Sequence, residues 1–172
     1  MFSSAKHPVL TGTAILTCAG TLSRLIGFFY RIFLSHAIGA EGLGLYQLIL
    51  PLQGLMAALS YTGIQSALSR LIASRLALQE KKEAYFSLVT GIFAAVFFSA
   101  VTGFLLFRHA DFFASTILKA PGTSYLLRLT AASIPLCAIH SCIDSYYYAR
   151  KKASVPAAVQ LSEQAVRIGA TY

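Results

Sequence analysis

The chain has 172 residues, of which 56% are hydrophobic and only 12% charged, and its mean hydropathy is +0.67. A water-soluble domain of this length carries about twice that share of charged residues, so the composition excludes an ordinary soluble domain. The net charge of +8 comes from basic residues placed between apolar segments, which predicts a membrane topology signal and no nucleic-acid partner.

Five apolar segments recur along the chain, at residues 9–36, 44–70, 85–107, 124–148 and 155–172. Each approaches the roughly 20 residues that a helix needs to cross the hydrocarbon core, and the period-2 alternation of a membrane barrel does not occur in them. The sequence therefore predicts one all-α integral membrane domain over residues 1–172. Since the last segment runs to Tyr172 without a polar exit loop, we expect the chain to be part of a longer protein.

The basic residues are distributed unevenly between the two sides of this map. Eight of the 14 Lys and Arg residues precede the first segment or follow the second and fourth, and two lie in the opposite loops. Positive residues accumulate on the cytoplasmic side of membrane proteins. The pattern predicts a multi-pass protein of the cytoplasmic membrane with its N-terminus in the cytoplasm.

Two arginines, Arg24 and Arg31, lie seven residues apart inside the first apolar segment. A helical spacing of 4-3-4-3 places both on one face with small and hydroxyl residues. That face comprises Thr13, Thr17, Gly20, Arg24, Gly27, Arg31 and Ser35. A guanidinium in the bilayer usually faces a polar cavity or a partner, so the pattern predicts a helix that lines a water-filled path. For Arg31, near the helix end, snorkelling to the interface is the alternative.

A glycine-punctuated turn at residues 38–44 separates the first two segments, and the second segment carries its own stripe at 4-3-4-3 spacing. That stripe comprises Gln47, Pro51, Gly54, Ala58, Tyr61, Gln65 and Ser69. Small residues allow helix backbones to approach closely. The two stripes therefore predict that Gly20 and Gly27 pack against Gly54 and Ala58.

Ionisable residues also occur in the fourth and fifth segments. His140 and Asp144 are four residues apart, which suits a proton relay or an ion site; the alternative is a packing histidine with Asp144 paired to Arg150 or Lys151. Glu163 and Arg167 are also four apart, which suits an intrahelical ion pair or a shared cavity with Arg24. We take His140, Asp144 and Glu163 as the candidate ion-coupling residues.

The sign of the intramembrane charge favours an anionic ligand. Arginines at 24, 31, 128 and 167 outnumber the acids at 144 and 163, although Arg128 lies near a helix end where snorkelling is expected. Guanidinium groups bind phosphate oxygens in a bidentate fork. The predicted substrate-binding residues are Arg24, Arg31, Gln47, Gln65 and Arg167.

Motifs for chemistry are missing from the sequence. It has no G-x-S-x-G, H-E-x-x-H, P-loop or dinucleotide fingerprint, and its three cysteines have no metal-ligand spacing. We therefore expect a protein that is not an enzyme, with no cofactor and no metal site.

The ordered series of residues 23–32 (SRLIGFFYRI), 38–47 (IGAEGLGLYQ), 51–52 and 63–70 (GIQSALSR) resembles the polysaccharide-exporter and lipid-flippase superfamily. Within it, the series is most similar to the stage V sporulation protein B-like branch. The resemblance implies a bacterial fourteen-helix transporter of two pseudo-symmetric bundles, working by alternating access, of which this chain is the N-terminal five-helix portion.

The same resemblance implies partners and a substrate. It implies a polyprenyl-pyrophosphate-linked saccharide or peptidoglycan precursor as substrate, contact with membrane lipids and with the remaining C-terminal helices, and cell-wall synthesis proteins as further partners. In related lipid flippases first-helix arginines face the cavity, a position that Arg24 matches. Two alternatives are a multidrug and toxin extrusion-type cation exporter, which needs acids in its cavity, and a non-transporting scaffold for cell-wall synthesis.

Overall fold

The computed structural model describes residues 6–152 and 154–170, and all regular elements in these ranges are helical. Two residues named above lie outside this description: Tyr172 entirely, and Thr13 in its side chain. The elements are α1 (Lys6–Ala57), a π-helical turn (Ala58–Thr62), α2 (Gly63–Ala77), α3 (Lys81–Arg108), α4 (Ala110–Phe112), a second π-helical turn (Phe113–Ile117), a 3-10 turn (Pro121–Thr123), α5 (Ser124–Ala149) and α6 (Ser154–Ala170).

Gly39 divides α1 into two helical stretches, residues 6–38 and 40–57. Its backbone has φ 74° and ψ 173°, a conformation that glycine adopts without the steric cost of a Cβ. The turn predicted between the first two apolar segments is therefore present, although it is contracted to one non-helical residue. The second stretch continues through the Ala58–Thr62 turn into α2.

Three stretches of the described chain are long and apolar enough to cross a membrane: Leu16–Ala77, Lys81–Arg108 and Pro121–Ala149. The first has 62 residues, more than one crossing needs, and Gly39 lies within it. The predicted all-α membrane fold class is confirmed. α6, with 17 described residues, is not among the three, so the fifth crossing stays a prediction.

A three-helix bundle of α2, α3 and α5 holds the best-packed core, and the second stretch of α1 packs against it. Small residues set the distance between its helices. A Cβ on Gly103 would lie 2.8 Å from the backbone oxygen of Ala131, so α3 and α5 are in backbone contact there. The Ser145 hydroxyl of α5 lies 3.2 Å from the backbone oxygen of Gln65 in α2 and 2.9 Å from that of Ser141 in its own helix, and it can donate to either.

The predicted close contact between the small-residue stripes of the first two segments is wrong. A Cβ added to Gly20, Gly27 or Gly54 would meet no atom within 4 Å. The two stretches of α1 instead line a common cavity, and Gly27 is part of its wall. Close small-residue packing occurs between α3 and its neighbours α2 and α5 instead.

Candidate functional site

A cavity of about 610 Å³ lies between the two stretches of α1 and α6. The first stretch contributes Ser23, Arg24, Gly27, Phe28, Tyr30 and Arg31; the second contributes Tyr46, Leu50 and Gln53; α6 contributes Gln160, Gln164 and Arg167. Positions 24, 27 and 31, and likewise 46, 50 and 53, share a face at helical spacing. The cavity is therefore lined by one face from each of three helical stretches.

Three guanidinium groups, those of Arg24, Arg31 and Arg167, line this cavity, and the residues that form its wall include neither Asp nor Glu. Arg24 and Arg31 are two turns apart, a separation of about 10 Å along the helix axis. Arg167 approaches from α6. The wall is consequently positive, and its three guanidinium groups lie at different positions along the cavity.

Uncharged polar groups complete the wall. Gln53, Gln160 and Gln164 offer amide donors and acceptors, and Ser23 and two tyrosines offer hydroxyl groups. The Ser23 side chain is 5% exposed, and its hydroxyl oxygen, like the amide oxygen of Gln164, is buried without a hydrogen-bond partner. Buried polar atoms are nearly always hydrogen-bonded, so these two atoms depart from the usual pattern at the cavity wall.

The structure brings together three of the five predicted substrate-binding residues, Arg24, Arg31 and Arg167. Gln47 lies in a separate groove beside Glu41, and Gln65 lies in another with Arg70 and Tyr148. A substrate-binding role for Gln47 and Gln65 therefore stays a prediction that this cavity does not support.

Gln53 takes the place expected of Gln47, and the sequence analysis missed it. The predicted stripe through Gln47 is one residue, about 100° around the helix, from the face of Tyr46 and Gln53 that lines the cavity. The polar Gln53 amide in an apolar run was the available signal.

The three candidate ion-coupling residues also lie together, beside the cavity. The Nδ1 atom of His140 is 3.8 Å from Oδ2 of Asp144, and its Nε2 atom is 3.6 Å from Oε1 of Glu163. Arg150 lies against Tyr146, with its guanidinium 5.4 Å from the ring centre. The described partner of Asp144 is His140, so its predicted alternative pairing to Arg150 or Lys151 is wrong.

Arg128 lies away from the arginine-lined cavity. Its guanidinium is 2.9 Å from Asp111 and 5.8 Å from the ring centre of Phe107. Both side chains of the pair are largely exposed. This arginine serves as a natural comparison for the cavity arginines.

No group of three or more His, Cys, Asp or Glu side chains in residues 6–152 and 154–170 has an arrangement suited to a metal ion. Cys18, Cys137 and Cys142 are free thiols.

A family model and two curated proteins match most of the chain. The family model described as "Polysaccharide biosynthesis protein" matches residues 9–172. Stage V sporulation protein B of Bacillus subtilis (strain 168) is 33% identical over 169 residues, which cover 95% of this chain and 32% of that protein. Lipid II flippase MurJ of the same organism is 23% identical over 168 residues, which cover 93% of this chain and 31% of that protein.

The chain thus spans about a third of the length of these curated relatives. No solved structure matches it significantly.

Proposed function

The chain belongs to the polysaccharide biosynthesis protein family, as the motifs around Arg24 predicted, and we propose that it forms part of a transporter of lipid-linked saccharides. The substrate is a polyprenyl-pyrophosphate-linked saccharide or a peptidoglycan precursor, moved outward across the bacterial cytoplasmic membrane without a covalent step. The similarity to a protein named lipid II flippase supports this substrate class. Further helices of the longer protein complete the cavity.

The observation that carries the proposal is the charge of the cavity. Arg24, Arg31 and Arg167 line it, and no carboxylate among the described residues does. Arginines within membrane-spanning segments are costly and usually mark a substrate path. Three of them around one space favour an occupant with more than one negative charge.

A pyrophosphate group fits these side chains chemically. Its oxygens accept paired hydrogen bonds from the planar guanidinium fork, which an ammonium group does not provide. Because Arg24 and Arg31 are about 10 Å apart along the helix, they serve successive positions of a head group that moves along the cavity. Arg167 completes the contact from the opposite wall.

The neutral polar side chains suit the sugar portion of such a substrate. Gln53, Gln160 and Gln164 can each donate to and accept from hydroxyl groups. A cavity of about 610 Å³ is within the usual range for ligand sites.

The two alternatives fit the cavity less well. A cation exporter needs acidic groups facing the substrate, whereas Asp144 and Glu163 flank His140 instead. A non-transporting scaffold has no need of arginines around an open space, because intramembrane charge is costly unless it is used.

The test is equilibrium binding to the full-length protein in detergent. The probe is a polyprenyl diphosphate-linked disaccharide, and the corresponding polyprenol is the uncharged comparison. We expect Arg24→Ala to weaken binding of the diphosphate by at least tenfold, because a charged hydrogen bond contributes about 1.5–3 kcal/mol. Binding of the polyprenol should not change.

Arg128→Ala is the matched control, since it removes an arginine that pairs with Asp111 outside the cavity. It should bind the diphosphate as the unmodified protein does. Equal binding of diphosphate and polyprenol, or equal loss in the Arg24 and Arg128 variants, would contradict the proposed substrate class.

A further inference from the structure

We propose that His140, Asp144 and Glu163 form a proton-binding site that fastens α6 to α5 when it is occupied. Asp144 lies one turn from His140 in α5, and Glu163 reaches the opposite ring nitrogen from α6. The imidazole thus stands between two carboxylates on two different helices. Ionisable groups in such a position within the membrane are rare and commonly carry protons or ions.

The number of N–H groups on the imidazole determines how many carboxylates it can donate hydrogen bonds to. A neutral ring has one N–H and can donate to only one carboxylate, while the protonated ring has two and can donate to both. The distances of 3.8 Å and 3.6 Å are longer than full hydrogen bonds. Uptake of one proton therefore allows both contacts to shorten, and its release leaves two like charges facing each other across the helix pair.

The two helices differ in how firmly they are held. α5 is fixed in the bundle, where Cys142 and Ser145 are fully buried and Ser145 bonds to α2. α6 packs along α1 and touches α5 over a short stretch. Repulsion between Asp144 and Glu163 is consequently expected to displace α6 and to leave α5 in place.

α6 also forms one wall of the arginine-lined cavity. Gln160, Gln164 and Arg167 line that cavity, and Glu163 lies between them in sequence. A movement of α6 at Glu163 therefore moves this wall. The proton-dependent position of α6 does not depend on what is transported, while its effect on transport rests on the proposed function.

Other titratable groups surround the site and must be considered with it. Cys137 and Tyr148 of α5 lie near Glu163 and Asp144, respectively, and Tyr61 from the neighbouring turn lies near Cys137. Arg70 of α2 shares a groove with Tyr148, and Arg167 stands one turn beyond Glu163. Of all these groups, histidine is the one that ordinarily changes charge near neutral pH.

The experiment measures the distance between α5 and α6 in the full-length protein. Spin labels are placed at Leu136→Cys and Val166→Cys, both highly exposed positions, in a background without other cysteines and in lipid nanodiscs. Pulsed electron paramagnetic resonance gives the distance between the labels at about pH 5 and at about pH 8. Histidine ordinarily changes charge between these two pH values. We expect the mean distance to lengthen as the pH rises.

His140→Gln should abolish this pH response, and Glu163→Gln should do the same if the first variant fails to fold. His36→Gln is the matched control, because the His36 ring is exposed and contacts only the carbonyl oxygen of Ile32 among its described partners, at 2.8 Å; this variant should keep the response. A distance that does not change with pH, or a response that persists in both the His140 and Glu163 variants, would overturn the proposal.

The labels report on α6 without any substrate, so the two proposals can fail separately. A pH response that requires His140 in a protein that binds no diphosphate would support the proton site and refute the proposed function. Diphosphate binding without a pH-dependent distance would do the reverse.

Discussion

The bundle formed by α2, α3 and α5 and the cavity lined by α1 and α6 use similar residues for opposite purposes. In the bundle, Gly103 brings α3 against α5 so closely that a Cβ would lie 2.8 Å from Ala131. At the cavity, Gly27 faces open space. Small residues in a membrane helix therefore indicate either close packing or a lined path, and only their surroundings distinguish the two.

Burial separates the two regions in the same way. Ile72, Leu106 and Leu127 of the bundle region are at most 1% exposed. Arg24 and Arg31 of the cavity are exposed within the described chain, where further helices and a ligand can reach them. The bundle supplies stability, and the cavity supplies the surface on which we base the proposed function.

The largest effect on stability is expected from leucine at Gly103, with leucine at Gly27 as the control. Gly103→Leu must displace the backbone of α5, and overpacking of this kind costs about 1–3 kcal/mol or more. Gly27→Leu should leave stability unchanged, since nothing lies within 4 Å of its Cβ position. Thermal unfolding of the full-length protein in detergent measures both, and equal stability of the two variants would remove the distinction between the regions.

A smaller effect is expected from the hydroxyl that joins α5 to α2. Ser145→Ala removes a buried hydroxyl that lies 3.2 Å from the backbone oxygen of Gln65 and 2.9 Å from that of Ser141 in its own helix, which should cost about 1 kcal/mol. Ser66→Ala, an exposed serine of α2 that bonds only within its own helix region, is the control and should change little. Unfolding midpoints that are lowered equally would show that the bond between helices contributes nothing specific.

The smallest effect on the protein is expected from a labelling cysteine at Glu41, an exposed residue two positions after Gly39. The basic residues predict that this turn faces away from the cytoplasm. Glu41→Cys should therefore react with an impermeant thiol reagent added outside intact spheroplasts. Reaction only after the cytoplasmic side is exposed would invert the predicted topology.

The sequence was most informative where a residue was out of place in its surroundings. Arg24, Arg31 and Arg167 line one cavity, which fits the rule that charge inside an apolar run requires a polar environment; their substrate-binding role stays a prediction. Gly39 lies within the turn that the sequence predicts, since glycine commonly interrupts helices. Both inferences depend on single residues and their immediate neighbours.

Other features depend on packing between distant segments, which periodicity does not reveal. Spacing places Gly20 and Gly27 on one face but says nothing of the space opposite that face. It also cannot tell which of two adjacent helix faces, that of Gln47 or that of Gln53, lines a cavity. The contact between His140 and Glu163 requires α6 to lie beside α5, and no local pattern predicts that.

Complementation of a flippase-deficient strain by the full-length protein tests the central claim, a cavity whose arginines hold a diphosphate. With protein levels matched, Arg24→Ala should lose nearly all activity and Arg24→Lys should retain part of it, because lysine keeps the charge but lacks the bidentate fork. Arg128→Ala should retain full activity. Full complementation by Arg24→Ala would contradict the account.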